Sequence, residues 1–321
     1  MELITSVMNL VLPPLILICL IVVLPPYLIY KFMLFITRLF FAEDVSGKVV
    51  VVTGASSGIG EHIVYEYAKR RARLVLVARR ESRLREVAEN ARIHGSPDVI
   101  SVCADVSIVD DCKRFIDETI SHFGQLDHLV NNAGIISTYY FEETIDITNP
   151  RSLFDINFWG SIYPTHFAIP HLKKSKGKIV VNTSLTAWFY GPVISFYGAS
   201  KGALLNFYET LRVELGSEVG ITLLSPGLVA SEMSEGKLLS KEGAMEVNKE
   251  KLDALVGMVP VRSVEECAKV IVNGICRGKR WVTDPSFYEY FNLFKIFVPE
   301  IAERVARLLF VAKQDTINKL S

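Results

Sequence analysis

The apolar and polar positions of the chain fall into three regimes. Residues 3–30 carry no charged side chain, a run longer than the ~20 residues needed to cross a bilayer core. From residue 48 onward, short β-branched runs alternate with segments whose apolar residues recur at helical spacing. Beyond residue 288 the chain becomes aromatic and then amphipathic. In the middle regime the pattern predicts strands at 48–53, 73–78, 99–104, 126–130, 178–184, 219–225 and 280–283. Helices are predicted at 61–71, 82–94, 111–123, 149–172, 197–215 and 264–277. Strict alternation of the two gives an α/β doubly wound parallel sheet.

The first regime is interrupted. Pro13-Pro14 and Pro25-Pro26 bracket ten apolar residues, and each proline removes a backbone donor. A ten-residue helix rises only about 15 Å, half of a ~30 Å bilayer core. The segment is either a kinked spanning helix or a hairpin dipping into one leaflet or a lipid monolayer. A cleaved signal peptide fits less well, because no small-residue cleavage site follows. Lys31 and Arg38 follow the run and only Glu2 precedes it, which places the rest of the chain on the cytoplasmic side. A polar break at 43–47 ends the linker. The expected organisation is a hydrophobic anchor at 1–41 with a proline knob (Pro13 to Pro26), a catalytic domain at 46–285, and an amphipathic extension at 286–321. The extension's apolar stripe has three outlets: the core, a partner subunit in a homodimer, or the lipid surface.

Composition narrows the function. Lys+Arg and Asp+Glu number 35 each, so no basic excess points to nucleic acid. Mean hydropathy is +0.30, high for a wholly soluble enzyme. The 5 cysteines form no C-x-x-C pair, so neither zinc nor a disulfide framework is indicated, and no metal is expected.

The candidate chemistry lies at strand ends. After the first strand comes Gly54-Ala55-Ser56-Ser57-Gly58-Ile59-Gly60 and then a helix. Strand, glycine turn and helix form the start of a dinucleotide-binding unit: backbone approaches the pyrophosphate and the helix N-terminus favours its charge. At the end of the second strand, where Asp or Glu would hold the ribose hydroxyls of NAD, stand Arg79 and Arg80. A guanidinium there suits a 2′-phosphate, so NADP is expected, with Arg79 foremost; the alternative is two solvated helix-start arginines. Asp105 and Val106 end the third strand, where an adenine would lie. Asn132, Ala133 and Gly134 follow the fourth, where open α/β sheets bind ligands.

Tyr197 and Lys201 lie four residues apart in a helical pattern and so share a face. An ammonium beside a phenol favours phenolate, so Lys201 is expected to lower the pKa of Tyr197. The competing reading is a surface Tyr/Lys pair. Ser184 closes a strand and supplies a third polar group. Asn157 is a polar residue in an otherwise apolar helix.

With these motifs in this order, together with Pro226-Gly227, residues 46–285 resemble the short-chain dehydrogenase/reductase family and its Rossmann-type sheet. The resemblance implies Tyr197 as general acid/base, Lys201 as its partner and ribose ligand, and Ser184 as the group that orients the substrate oxygen. It also implies Asn157 as the fourth catalytic residue, serving a water relay. Ser231 stands where the family usually has a threonine that binds the nicotinamide carboxamide. Within the family, Ala78-Arg79 and the membrane segment resemble 11β-hydroxysteroid dehydrogenases, and the proline-bracketed segment resembles plant steroleosins. That implies a steroid or sterol-like substrate and a lipid-droplet (oil-body) or endoplasmic-reticulum address. Other apolar carbonyls, such as fatty acyl ketones or retinoids, are the same-class alternative. A non-catalytic lipid-droplet coat protein is the rival from another class.

Overall fold

The computed structural model describes residues 1–248 and 261–308. The part of the predicted 231–259 insertion beyond residue 248, the gap to residue 260, and the end of the C-terminal extension from residue 309 lie outside the described residues.

Two units are distinct: Met1–Glu43 and Asp44–Ser321. The first is one α-helix, α1 (Glu2–Phe40), that runs through all four prolines and buries no residue. Among the described residues it is the one helix long and apolar enough to cross a membrane. The structure thus draws a continuous helix rather than a hairpin. Its 39 residues rise about 58 Å.

The second unit is built on a seven-stranded sheet of order β3-β2-β1-β4-β5-β6-β9. The strands are β1 (Val49–Thr53), β2 (Arg73–Ala78), β3 (Val99–Cys103), β4 (His128–Asn131), β5 (Lys178–Asn182), β6 (Gly220–Pro226) and β9 (Trp281–Asp284). Every neighbouring pair is parallel. All seven lie within a residue or two of the hydrophobic runs that predict them. A parallel sheet covered on both faces needs strands apolar on both sides. In β1, Val50 and Val52 join one core with α2 (Gly58–Ala68), α3 (Glu81–Ile93) and the helix Val264–Cys276. Val49 and Val51 join the other, with α4 (Val109–Phe123), α6 (Gly160–Ser175) and α7 (Ser195–Leu215).

Strand order reverses between β1 and β4, a crevice where open α/β sheets bind ligands. Two features are absent from the hydrophobic pattern. The predicted 149–172 helix is instead α5 (Arg151–Phe154), one π-helical stretch at Asp155–Trp159, and α6. The polar insertion after β6 holds a small antiparallel hairpin, β7 (Lys237–Leu239) with β8 (Met245–Val247). Leu239 bridges to Ser137, which ties this hairpin back to the loop after β4. In the C-terminal extension, helices Tyr288–Phe297 and Pro299–Ala306 are present, and the former buries no residue.

Candidate active site

The glycine turn follows β1 directly. Gly54 adopts φ +66°, and a Cβ on it would lie 2.8 Å from Ala133 Cα. A Cβ on Gly60 would lie 2.3 Å from the Gly54 carbonyl oxygen. Both positions require glycine on steric grounds. Ser57 stands at the N-cap of α2 with extended backbone and makes no side-chain capping bond, so its hydroxyl leaves the helix's first N–H groups to another acceptor. Thr53 and Asn132 lock the turn to the next strand end. The Asn132 and Ala133 N–H groups donate to Thr53 Oγ1 at 3.0 and 3.1 Å, and Asn132 Nδ2 donates to the Thr53 carbonyl at 3.0 Å. The Cβ of Ser231 faces this turn, 3.2 Å from where a Cβ of Gly58 would be.

At the end of β2 the two arginines diverge. Arg79 is 59 % exposed and its Nη1 lies 3.6 Å from Asp105 Oδ2. Arg80 bends back over the glycine turn and donates to Ser57 Oγ at 2.8 Å and to Ser56 Oγ at 3.1 Å. Val106 is buried against the position of Gly160.

The predicted catalytic residues converge at the carboxyl ends of β4 and β5. Tyr197 and Lys201 sit in the first two turns of α7 and are only 7 % and 3 % exposed, which rules out a surface pair. The Lys201 ammonium lies 5.8 Å from the centre of the Tyr197 ring and donates to the Asn182 carbonyl at 2.9 Å. The Ser184 hydroxyl lies beside the Tyr197 phenol, where it favours the phenolate. It also accepts from the Thr186 N–H at 3.2 Å.

Asn157 is fully buried within the π-helical stretch. Its Oδ1 accepts from the Ile135 N–H at 2.8 Å, and its Nδ2 donates to the Ile135 carbonyl at 2.9 Å and to Ser200 Oγ at 3.0 Å. Ser200 in turn donates to the Tyr197 carbonyl at 2.7 Å. The side chain of Asn157 is thereby committed to fixing the β4 loop and α7 relative to one another. Gly134 closes the group: a Cβ there would lie 3.1 Å from Asn157 Oδ1 and 3.3 Å from Lys201 Nζ.

One electrostatic expectation is corrected. The net shift of Tyr197 is upward, not downward: burial pushes the phenol up to about 12, and Ser184 beside it only partly offsets this. Burial also pulls Lys201 down to about 8. Desolvation disfavours both charged forms, and here it outweighs their mutual attraction.

Several site residues carry no sequence signal of their own. Asn182 donates to Asn132 Oδ1 at 2.9 Å while its carbonyl holds Lys201. Leu239 packs with Ile135, Leu153 and Tyr197, a contact that only the hairpin creates. Near Pro226-Gly227, a Cβ on Gly227 would meet Tyr288 at 2.8 Å. Phe189 and Phe291 rings meet at 6.3 Å, and Lys295 Nζ donates to the Trp188 carbonyl at 2.6 Å. The segment after Ser184 and the C-terminal helix therefore form one aromatic wall.

A parallel sheet with a glycine turn at its switch point and a buried Ser, Tyr and Lys at its carboxyl edge defines a class, and comparison agrees. A family profile described as short chain dehydrogenase matches residues 48–242. The chain belongs to the short-chain dehydrogenase family and is an oxidoreductase of that class. Its similar relatives include 11-beta-hydroxysteroid dehydrogenase 1A of Arabidopsis thaliana, 51 % identical over 97 % of this chain and 89 % of the relative. The 11-beta-hydroxysteroid dehydrogenase of Pinus massoniana is 47 % identical over 97 % and 87 %. Among solved structures, a short-chain dehydrogenase/reductase from Burkholderia phymatum in complex with NAD superimposes with TM-score 0.72 at 24 % identity, covering 80 % of this chain and 96 % of the other. An alcohol dehydrogenase from Thermococcus sibiricus complexed with 5-hydroxy-NADP gives 0.62 at 25 % identity, covering 74 % and 95 %.

Proposed function

We propose that this protein is an NADP-dependent hydroxysteroid dehydrogenase that interconverts a hydroxyl and a ketone on a sterol-like substrate at a membrane or lipid-droplet surface. The observation that carries the redox reading is the buried Ser184, Tyr197 and Lys201 group at the crevice edge. A nicotinamide dinucleotide fits the cradle: the turn has no room for side chains at Gly54 and Gly60, and Ser57 leaves the α2 N-terminus uncapped. Gly54, Ser56, Ser57, Gly58, Ile59 and Gly60 would hold its pyrophosphate. Asp105, Val106, Asn132, Ala133 and Gly134 would line its adenosine and ribose, and Pro226, Gly227 and Ser231 the nicotinamide side. When bound, it supplies the hydride acceptor or donor.

The chain's own residues handle the proton. Ser184 hydrogen-bonds the reacting oxygen and the phenol together. For reduction, Tyr197 is already protonated at neutral pH and donates to the developing alkoxide. For oxidation, it must first lose its proton, and the adjacent Lys201 stabilises the phenolate as it forms. Asn157 and Ser200 hold α7 in place while this happens.

NADP is supported by two guanidiniums, Arg79 and Arg80, where an acidic ribose ligand would favour NAD. The steroid is supported by the printed names of the plant relatives and by an apolar helix that concentrates the enzyme where such substrates partition. A hydroxysteroid panel followed by cofactor absorbance tests the reading. Turnover with NADP exceeds that with NAD, and Arg79→Ala erodes the difference. Preference for NAD by the wild type would refute the phosphate argument, and turnover restricted to fatty acyl ketones or retinoids would refute the steroid.

A further inference from the structure

Glu232 follows Ser231 in the segment that leaves β6, and its carboxylate reaches Arg80. Oε1 and Oε2 lie 2.8 and 3.0 Å from Arg80 Nη1. The same guanidinium donates through Nη2 to Ser57 and Ser56 of the glycine turn. Lys237 Nζ holds Glu232 Oε2 from the other side at 2.9 Å. An acidic side chain is therefore bound by both oxygens to an arginine that lies on the phosphate-binding turn.

Carboxylate and phosphate present similar acceptor geometry to a guanidinium. Two anions brought to one arginine also repel each other. We propose that Glu232 is an internal counter-anion that holds Arg80 until a dinucleotide binds, and that a cofactor phosphate then takes over Arg80 and releases Glu232. This rests on the dinucleotide reading above and adds a residue that sets affinity at that site. Release has a direction. Glu232 sits on the segment that leads into β7, Lys237 is the first residue of β7, and β7 places Leu239 against Tyr197. Phosphate capture at one end of the crevice thus loosens the apolar wall beside the reacting oxygen at the other. A pair that instead stayed closed over the cofactor as a strap would make Glu232 a contributor to affinity rather than a competitor.

The test uses the full-length protein in detergent and two probes, ADP-ribose for the pyrophosphate and 2′-phospho-ADP-ribose for the additional phosphate. Dissociation constants are measured by calorimetry for wild type, Glu232→Gln, Arg80→Ala and the double variant, with thermal melts to verify folding. The pair is more than a third exposed, so its removal is worth roughly three- to tenfold. Glu232→Gln tightens at least one probe by that factor, and the probe that gains identifies the phosphate. The gain vanishes in the Arg80→Ala background. Unchanged or weaker binding in Glu232→Gln, or a gain that survives without Arg80, overturns the proposal. If neither probe binds wild type or Glu232→Gln, the dinucleotide reading falls with it; binding to wild type that is indifferent to Glu232 refutes this inference alone.

Discussion

Lys201 shows most directly how burial sets the chemistry. Its amine, near 10.5 in the unfolded chain, falls to about 8 in the fold. Between those values the unfolded chain holds a proton that the folded chain has released, so this residue's contribution to stability rises with pH. Tyr197 opposes it only above pH 10, where the folded phenol stays protonated up to about 12. A Lys201→Met variant has no such titration. Its stability advantage over wild type, or its smaller deficit, is therefore greatest at pH 7 and shifts in favour of wild type as pH rises from 8 to 10. Urea melts across that range measure it, and a shift of opposite sign would contradict the burial argument. Gly60 offers a steric counterpart. Gly60→Ala forces a Cβ toward the Gly54 carbonyl at 2.3 Å, so dinucleotide affinity and melting temperature both fall. Retained affinity would show that the turn yields. The placement of residues at this scale was legible: Tyr197 and Lys201 share a buried face of α7, and the glycines form the turn after β1. The sign of the Tyr197 shift was not, because spacing reports a neighbouring charge but not the loss of water around it.

At the scale of elements, the π-helical stretch at Asp155–Trp159 is the feature that hydrophobic periodicity could not register. It turns Asn157 inward, where its amide joins the β4 loop to α7. Asn157→Ala leaves the Ile135 N–H, the Ile135 carbonyl and Ser200 without that partner, at a cost of about 1–3 kcal/mol. Equilibrium denaturation measures this, with an accompanying loss of turnover as α7 shifts; a variant as stable as wild type would deny Asn157 its positioning role. The β7–β8 hairpin was also invisible, since three-residue strands in a polar insertion carry too little pattern. The seven parallel strands were plain because each is buried on both faces and reads as a near-continuous apolar run. Proton transfer also belongs to this scale, since α7 presents a protonated phenol to the crevice. Reduction varies little between pH 6 and 8, whereas oxidation climbs with pH as phenolate becomes available. Steady-state rates in both directions check this, and an oxidation rate flat with pH would contradict it.

At the scale of the whole molecule, the chain joins a membrane-length apolar helix to a dehydrogenase domain. The apolar helix was legible as an uncharged run, while its prolines left helix and hairpin both open; the structure keeps them in one helix. Deleting residues 1–41 releases the protein into the soluble fraction of a cell lysate. Continued tight membrane binding would assign attachment to the exposed aromatic helix Tyr288–Phe297 instead.

The central claim is that the buried tyrosine performs alcohol/ketone proton transfer on a hydroxysteroid. Its most direct test is the turnover of one hydroxysteroid with NADP by wild type and by Tyr197→Phe, with NADP affinity measured alongside. The phenol is worth roughly 10²–10⁴ in rate as a general acid/base. Tyr197→Phe loses turnover by that factor or more, with cofactor affinity nearly unchanged. Turnover by Tyr197→Phe within a few fold of wild type would contradict it.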